Sequence, residues 1–308
     1  MHMRLGMITP VVNLNPRFDP PDWEVDGSIH DIVVVARAGE RLGYSWLGCP
    51  EHVAIPEPVA AVRGARYWDP VVTLSFVAAC TRMIRLLPHV TVLGYHHPLE
   101  IVKQYGTLDV ASGGRVILGV GVGSLREEFA LLGRPFDDRG VRADDALRAI
   151  RASFSRRAPT YAGTHYRFGG VVVEPSGLQE HLPIWVGGRT RRSLRRALEL
   201  GDGWMPFGLD LDHLGSILGD AGIIGPMGDR RLPFEVVLAP EPPLDPLGDP
   251  TGTAQVVEAY AELGATGLAV RFRHQSRQHY IEQLEAMVDV VGHGVGLERP
   301  DEAAEGAP

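Results

Sequence analysis

Four short stretches of this 308-residue chain carry residue types that do chemistry. Glu51-His52 follows a short apolar run in Gly48-Cys49-Pro50-Glu51-His52-Val53. A histidine changes charge near neutral pH, so it can act as an acid or a base, although its position alone fits a structural histidine equally well. His96-His97 follows another apolar run. Neighbours on an extended segment point to opposite sides, so at most one of the two faces a given site. Gly119, Gly121 and Gly123 alternate at the end of a third run, with Val122 between the last two and Ser124 after them. Alternating glycines at a strand end let another backbone or a ligand come close. Leu182-Pro-Ile-Trp-Val186 leads into Gly187-Gly188-Arg189-Thr190 and then a helix-like stretch. Backbone N–H groups at a helix start, with a hydroxyl and guanidiniums, suit an anion. The alternative is an ordinary loop and a solvated basic helix face that continues through Arg195 and Arg196. Two such strand ends point to a phosphate-bearing cofactor.

Other chemistries fit less well. A dinucleotide fingerprint needs a glycine where this chain has Ser124 and an acidic residue at a strand end about twenty positions on. Asp144 and Asp145 lie near that offset but within a helical stretch. A metallohydrolase on this fold would show a His-x-His on its first strand, where Met7-Ile8-Thr9 stands, so no metal is expected. Lys103 is the only lysine and falls within a helix-like segment, which disfavours imine chemistry.

These residues need elements to position them. Strand-like runs cover Arg4–Thr9, Ser45–Gly48, Arg85–Leu93, Val116–Val120, Pro183–Gly187, Gly203–Pro206, Phe234–Ala239 and Gly267–Phe272. Helix-like runs follow at Ile29–Leu42, Pro70–Cys80 (with Asp69 as N-cap), Pro98–Ala111, Asp137–Ser153, Thr190–Leu200, Leu211–Leu218, Thr253–Leu263 and Gln278–Val291. Eight such units predict an α/β fold, a single (β/α)8 TIM barrel over residues 1–293, with an open doubly wound sheet as the alternative. Ala158–Pro175 reads as a small hairpin inserted after the fourth strand. Pro10–Gly27 and Cys49–Trp68 are long enough to shape the C-terminal mouth, and residues 294–308 read as a disordered tail.

The net charge of −8 argues against general nucleic-acid affinity. No apolar run approaches the ~18 residues needed to span a membrane, and the N-terminus does not resemble a signal peptide. Cys49 and Cys80 match no metal spacing, and a reduced, cytoplasmic protein is expected.

At this point the chain resembles the bacterial-luciferase-like superfamily, in particular its branch of coenzyme F420-dependent oxidoreductases. The resemblance spans Arg4 to Phe207, and more weakly continues to Val291. It rests on Pro50-Glu-His52, Tyr67-Trp-Asp-Pro70, Ile84-Arg-Leu86 through Val90-Thr-Val-Leu93, His97-Pro-Leu99 with Lys103-Gln104, Thr107-Leu-Asp109, Ser112-Gly-Gly-Arg115 into Leu118-Gly-Val-Gly-Val-Gly123, Pro183-Ile-Trp-Val-Gly-Gly188 and Leu200-Gly-Asp-Gly-Trp204. The resemblance implies a flavin or deazaflavin across the barrel mouth, backed by a non-prolyl cis peptide matching Thr91-Val92. It implies a cofactor phosphate at Gly187, Gly188, Arg189 and Thr190, the ribityl chain beside Gly121, Val122, Gly123 and Ser124, and His52 as acid or base. It also implies a homodimer. Sugar-phosphate dehydrogenases of the superfamily carry a glutamate acid where this chain has Ser124 and a tryptophan where it has Pro56, so a sugar phosphate does not fit. Glu127 or Glu128 replaces that acid only if the loop turns inward.

Two cofactors are open. A deazaflavin carries hydride and has little oxygen chemistry, whereas reduced FMN activates oxygen and would need a partner flavin reductase. Arg63, Arg66, Arg126, Arg189 and Arg191 would suit the anionic deazaflavin tail. The expected function is therefore hydride transfer between coenzyme F420 and a partly apolar small molecule. An FMN monooxygenase and a non-catalytic flavin-binding barrel are the alternatives.

Overall fold

The computed structural model describes residues 3–221 and 234–294. The strands are β1 (Arg4–Ile8), β2 (Trp46–Cys49), β3 (Arg85–Pro88), β4 (Thr91–Val92), β5 (Leu118–Gly121), β6 (Tyr161–Ala162), β7 (Arg167–Phe168), β8 (Ile184–Gly187), β9 (Gly203–Met205), β10 (Glu235–Leu238) and β11 (Gly267–Val270). The helices are α1 (Asp22–Val25), α2 (Ile29–Arg41), α3 (Glu57–Arg63), α4 (Pro70–Cys80), α5 (Pro98–Ser112), α6 (Arg126–Leu131), α7 (Arg139–Ser153), α8 (Arg191–Leu200), α9 (Leu211–Asp220), α10 (Pro250–Glu262) and α11 (Arg277–Gly294). Local signals set several of these starts. Asp69 accepts the Val72 N–H at 2.8 Å with Pro70 in the first turn of α4.

Nine strands form one parallel sheet in the order β3-β2-β1-β11-β10-β9-β8-β5-β4. β3 and β4, at its two ends, are consecutive in the chain, and a bridge from Leu86 to Val116 joins β3 to the segment entering β5. The sheet therefore closes as an eight-membered (β/α)8 barrel whose third member is broken. The break replaces the single strand expected over Arg85–Leu93. It falls at a cis peptide between His89 and Val90, two residues earlier than the Thr91–Val92 position the family resemblance implied. Apolar residues flank it on both sides, and Pro88-His89 alone interrupt the run where the break falls.

The barrel interior is filled from below. Trp46 and Trp185 meet edge to face, with centroids 5.0 Å apart, among Leu87, Ile117, Met205, Val237 and Ala269. Trp46 lies over two glycines: a Cβ on Gly6 would sit 1.9 Å from its indole, and one on Gly267 2.6 Å. Arg4 pairs with Glu235 at this lower rim. The larger core lies between the sheet and the surrounding helices. The expected hairpin is present as β6 and β7, paired antiparallel after α7. Asp145 of α7 accepts from the Tyr161 hydroxyl and from the His165 and Tyr166 N–H groups, which pins the hairpin to the barrel. Residues 295–308 of the expected tail lie outside the described residues.

Candidate functional site

With the lower end plugged, the open end is the ring of loops beyond the C-terminal strand ends. His52 follows β2 there. Its Nδ1 lies 2.7 Å from Glu128 Oε2, and its ring meets Tyr67 edge-on at 4.5 Å. Glu128 is fully buried and accepts three further hydrogen bonds, from the Tyr95 hydroxyl at 2.7 Å, the Val53 N–H at 2.6 Å and the Ala54 N–H at 3.1 Å. Burial opposes its ionisation. The hydrogen bonds from His52, Tyr95 and Ala54, with the charge of His52, outweigh burial and hold the carboxyl below its ordinary value. An ionised Glu128 fixes the proton on Nδ1 of His52 and leaves Nε2 without a protein partner among the described residues. That is the arrangement in which a carboxylate orients a histidine for proton transfer. α6 delivers Glu128: the loop after β5 turns inward, so Glu128 is buried while Glu127 is exposed.

A second carboxylate–histidine pair lies alongside. Glu51 Oε1 is 2.6 Å from His96 Nε2, and its Oε2 accepts the Val92 N–H at 2.6 Å. Burial works against the His96 cation, but the hydrogen bond and charge of Glu51 win and raise its pKa. Glu51 thus ties the end of β2 to β4. His97 turns the other way and caps α5, accepting the Leu99 N–H and meeting Tyr166 at 5.5 Å.

The glycine-rich strand ends converge on Val90, the residue after the cis bond. A Cβ on Gly121 would come within 2.6 Å of one Val90 methyl, and a Cβ on Gly187 within 3.0 Å of the other. Gly119 leaves room for the Pro88 carbonyl, and Gly123, at φ +78°, for the Phe129 ring. These glycines let the broken third strand press against β5 and β8. The Thr91 hydroxyl is buried against that of Tyr105 at 2.6 Å, and the Val92 side chain packs with Tyr95 and Phe129. Val90, rather than either of them, is the partly open side chain of the bulge. Its neighbour His89 is held neutral, pushed down to about 4 by burial and by the Arg271 charge.

At the β8 end, Thr190 is the N-cap of α8 and its hydroxyl accepts the Ser193 N–H. Gly188, at φ +125°, lies against Ser193, where a Cβ would approach to 2.7 Å. The N–H groups of Arg191 and Arg192 open this helix and have no acceptor within it. Arg189 is exposed, stacks over Phe207 at 5.3 Å, and pairs with no carboxylate among the described residues. Arg63 reaches Ser124 Oγ at 3.3 Å and Arg66 reaches the Glu24 carbonyl at 2.9 Å. Arg126 and Arg191 are engaged by Asp137 and Asp220. Of the five arginines expected at the rim, Arg63, Arg66 and Arg189 are therefore free of acidic partners among the described residues. Val122 is half-buried against the main core.

Expected site residues thus fall on one arc of the mouth, from β2 through β8. Glu51, Tyr95, His96 and Glu128 complete it; the sequence named Glu51 and His96 beside its candidate histidines and Glu128 as a condition on its loop, but it neither paired them nor pointed to Tyr95. Their signal was the co-occurrence of carboxylates with His52 and His96, which becomes visible only once the barrel closes.

The luciferase-like monooxygenase family profile matches residues 3–218. An uncharacterized Mycobacterium tuberculosis protein is 30% identical over 269 residues, covering 82% of this chain and 91% of its own. A coenzyme F420 dependent tetrahydromethanopterin reductase from Methanopyrus kandleri superposes with a TM-score of 0.68 at 15% identity, over 96% of this chain and 99% of its own. Monooxygenase RslO1 from Streptomyces bottropensis superposes with a TM-score of 0.70 at 20% identity, over 94% and 99%. Barrel, mouth and sequence agree, and the chain belongs to the luciferase-like family of oxidoreductases and monooxygenases.

Proposed function

We propose that the protein is an oxidoreductase that passes a hydride between a deazaflavin of the coenzyme F420 type and an organic, partly apolar substrate, with His52 moving the accompanying proton. The observation that carries this reading is the buried Glu128 carboxylate fixing Nδ1 of His52 at the open mouth. The residues present fit the anionic part of such a cofactor. The first turn of α8 offers N–H groups, and Arg189 and Arg63 offer charge beside Gly188 and Ser124. A deazaflavin, when bound, supplies a two-electron hydride carrier with little reactivity toward oxygen. Val90 and the Glu51-anchored β4 would form a firm wall for its ring, and the loops at Pro10–Gly27 and Cys49–Trp68 would exclude water. His52 would give or take the proton through Nε2 while Glu128 keeps it oriented.

Support for a reductase over a monooxygenase comes from a relative named 5,10-methylenetetrahydromethanopterin reductase in Archaeoglobus fulgidus, 32% identical over 132 residues, which is 42% of this chain and 38% of its own. The test is a fluorescence titration with coenzyme F420 and, separately, with FMN. Tight binding of F420 with weak binding of FMN is the expected result. The reverse would assign flavin monooxygenase chemistry with a separate reductase, and binding of neither would sink the reading of Gly187–Thr190 as a phosphate site.

A further inference from the structure

Across the mouth from these strand ends, a second feature lies between the C-terminal ends of β1 and β11. A cavity of about 250 Å³ opens there, with Thr9, Asn13, Phe18, Arg271, Phe272 and Tyr280 in its wall. Arg271 is half-buried and pairs with no carboxylate among the described residues. Its polar contact is Asn13 Oδ1 at 3.5 Å, the outer limit of a hydrogen bond, and Phe18 lies under its guanidinium at 4.8 Å. Thr9 lines the same wall, and its hydroxyl, closed off from solvent in the empty cavity, has no partner. A buried hydroxyl with no partner, and a guanidinium whose one side-chain acceptor lies at the limit of reach, are an uncommon expense for a fold unless a ligand completes them.

The other charges at the cavity do not satisfy Arg271. Glu24 Oε2 accepts the Val11 N–H at 2.8 Å, and its Oε1 lies 2.9 Å from His274 Nε2. His274 Nδ1 faces the Phe272 carbonyl at 2.8 Å and so must carry a proton. One further proton is shared between Nε2 and Glu24. Whichever of the two holds it, the pair is neutral overall. Asp19 and Arg273, both exposed at the rim, are opposite in charge, and Glu241, whose field also reaches Arg271, is paired with Arg17 at 3.0 Å. The cavity therefore presents one net positive charge, at Arg271, inside walls that include Pro10, Pro21, Phe18 and Phe272.

We infer that this cavity binds a carboxylate carried on an apolar body, its oxygens held by the Arg271 fork and the Thr9 hydroxyl. A planar guanidinium matches a carboxylate through two parallel hydrogen bonds. The location makes it the substrate's anchor: β1 borders both β11 and β2, and Tyr67 touches His52 on one side and pairs by backbone with Asn13 on the other. The term substrate rests on the oxidoreductase reading above; the binding site does not.

The experiment titrates the full chain with benzoate and with benzamide, its neutral isostere, by calorimetry and by fluorescence. Trp23 reports locally, since its ring lies 5.4 Å from His274 and 6.3 Å from Tyr280. Benzoate is expected to bind at least tenfold more tightly than benzamide, and Arg271→Gln to abolish that preference. Affinity for F420 and FMN should change less than twofold in the same variant. Thr9→Val, nearly isosteric and removing only an unpartnered hydroxyl, should weaken benzoate about threefold or more and serves if Arg271→Gln does not fold. Equal binding of benzoate and benzamide, or an unchanged preference in both variants, overturns the site. A parallel loss of cofactor affinity in Arg271→Gln assigns the arginine to the cofactor and overturns the substrate role. Benzoate binding by a protein that binds neither cofactor would retain the anion site and discard the oxidoreductase reading.

Discussion

Replacing Glu128 by glutamine removes one negative charge and almost no volume, which makes it a sharp test of how His52 is held. One carboxylate oxygen serves Val53 and Ala54, and the other serves His52 and Tyr95. An amide must turn its NH2 toward one of these pairs. The backbone N–H groups cannot become acceptors, so the NH2 faces His52 and Tyr95. The tyrosine hydroxyl can rotate, but Nδ1 of His52 must give up its proton and become an acceptor. The variant therefore holds His52 with the proton on Nε2, where it can no longer take a proton from a ligand in the mouth. Loss of an orienting carboxylate with its tautomer costs on the order of 10²–10⁴ in turnover. Hydrogen bonds to a charged acceptor contribute about 1–1.5 kcal/mol more than neutral ones, and glutamine avoids the burial cost of the charge, so the four bonds together leave a stability loss of roughly 3 kcal/mol. At about 2.1 cal/mol/K per residue, the 308-residue chain would lose about 5 °C in Tm. The pH dependence has a definite sign. A carboxyl held below its ordinary value stabilises the fold above the unfolded pKa, about 4.3, and that contribution fades as pH falls through the folded value. The gap between wild type and variant should be full at pH 7 and narrow below about pH 4.3. Nitrogen NMR of His52 reads the tautomer directly, and thermal melts read the rest. An unchanged imidazole signature together with an unchanged melt at pH 7 would refute this account of the dyad.

Three further outcomes follow from other parts of the fold. Gly123→Ala should destabilise by about 3 kcal/mol, from the left-handed φ of +78° and a Cβ 2.5 Å from the Phe129 ring; Phe129→Leu should partly rescue it in a double-mutant cycle by thermal melting. His89, neutral down to about pH 4 in the fold and near 6.5 when unfolded, makes the unfolded state the better proton binder between those values, so stability should fall by on the order of 3 kcal/mol as pH drops through that window. Denaturant melts of His89→Gln should show a flatter slope there, and an equally steep one would rule His89 out as the cause. The protein is expected to self-associate, with the exposed Val72 and Phe76 of α4 as the first surface to test; light scattering should give twice the chain mass, and a monomer would contradict it.

The barrel was legible in the sequence because each strand and helix announces itself locally. Apolar runs of strand length alternate with helical spacing, and Asp69-Pro70 and Gly187-Gly188 mark helix starts. The hairpin was legible for the same reason. What escaped was whatever depends on closure. The break at His89–Val90 lies between two apolar runs interrupted only by Pro88-His89, so Arg85–Leu93 read as one strand. Gly119, Gly121 and Gly123 were read as room for another backbone or for a ligand, and protein takes it: the Pro88 carbonyl, Val90 and Phe129 respectively. Several motif residues carry architecture instead of chemistry. Asp109 accepts the N–H groups of Leu178 and Gln179, and Arg115 spans Ala78, Thr81, Ile84 and Ser112. Glu128 was within reach only as a condition on the loop, since a six-residue helix gives too few turns for periodicity to say which face points inward.

The tryptophan pair at the foot of the barrel has a consequence for traffic. Trp46 seated on Gly6 and Gly267, with Trp185 beside it, closes the foot of the barrel, so among the described residues the mouth is the way in. Under the proposed function, a cofactor against Val90 and a substrate above it would share that doorway, so the cofactor would have to arrive before its companion and leave after. Steady-state kinetics should therefore follow a compulsory queue, with the outer ligand competing only against its own product. A random order of addition would mean that the loops around the doorway open wider than the resting fold suggests.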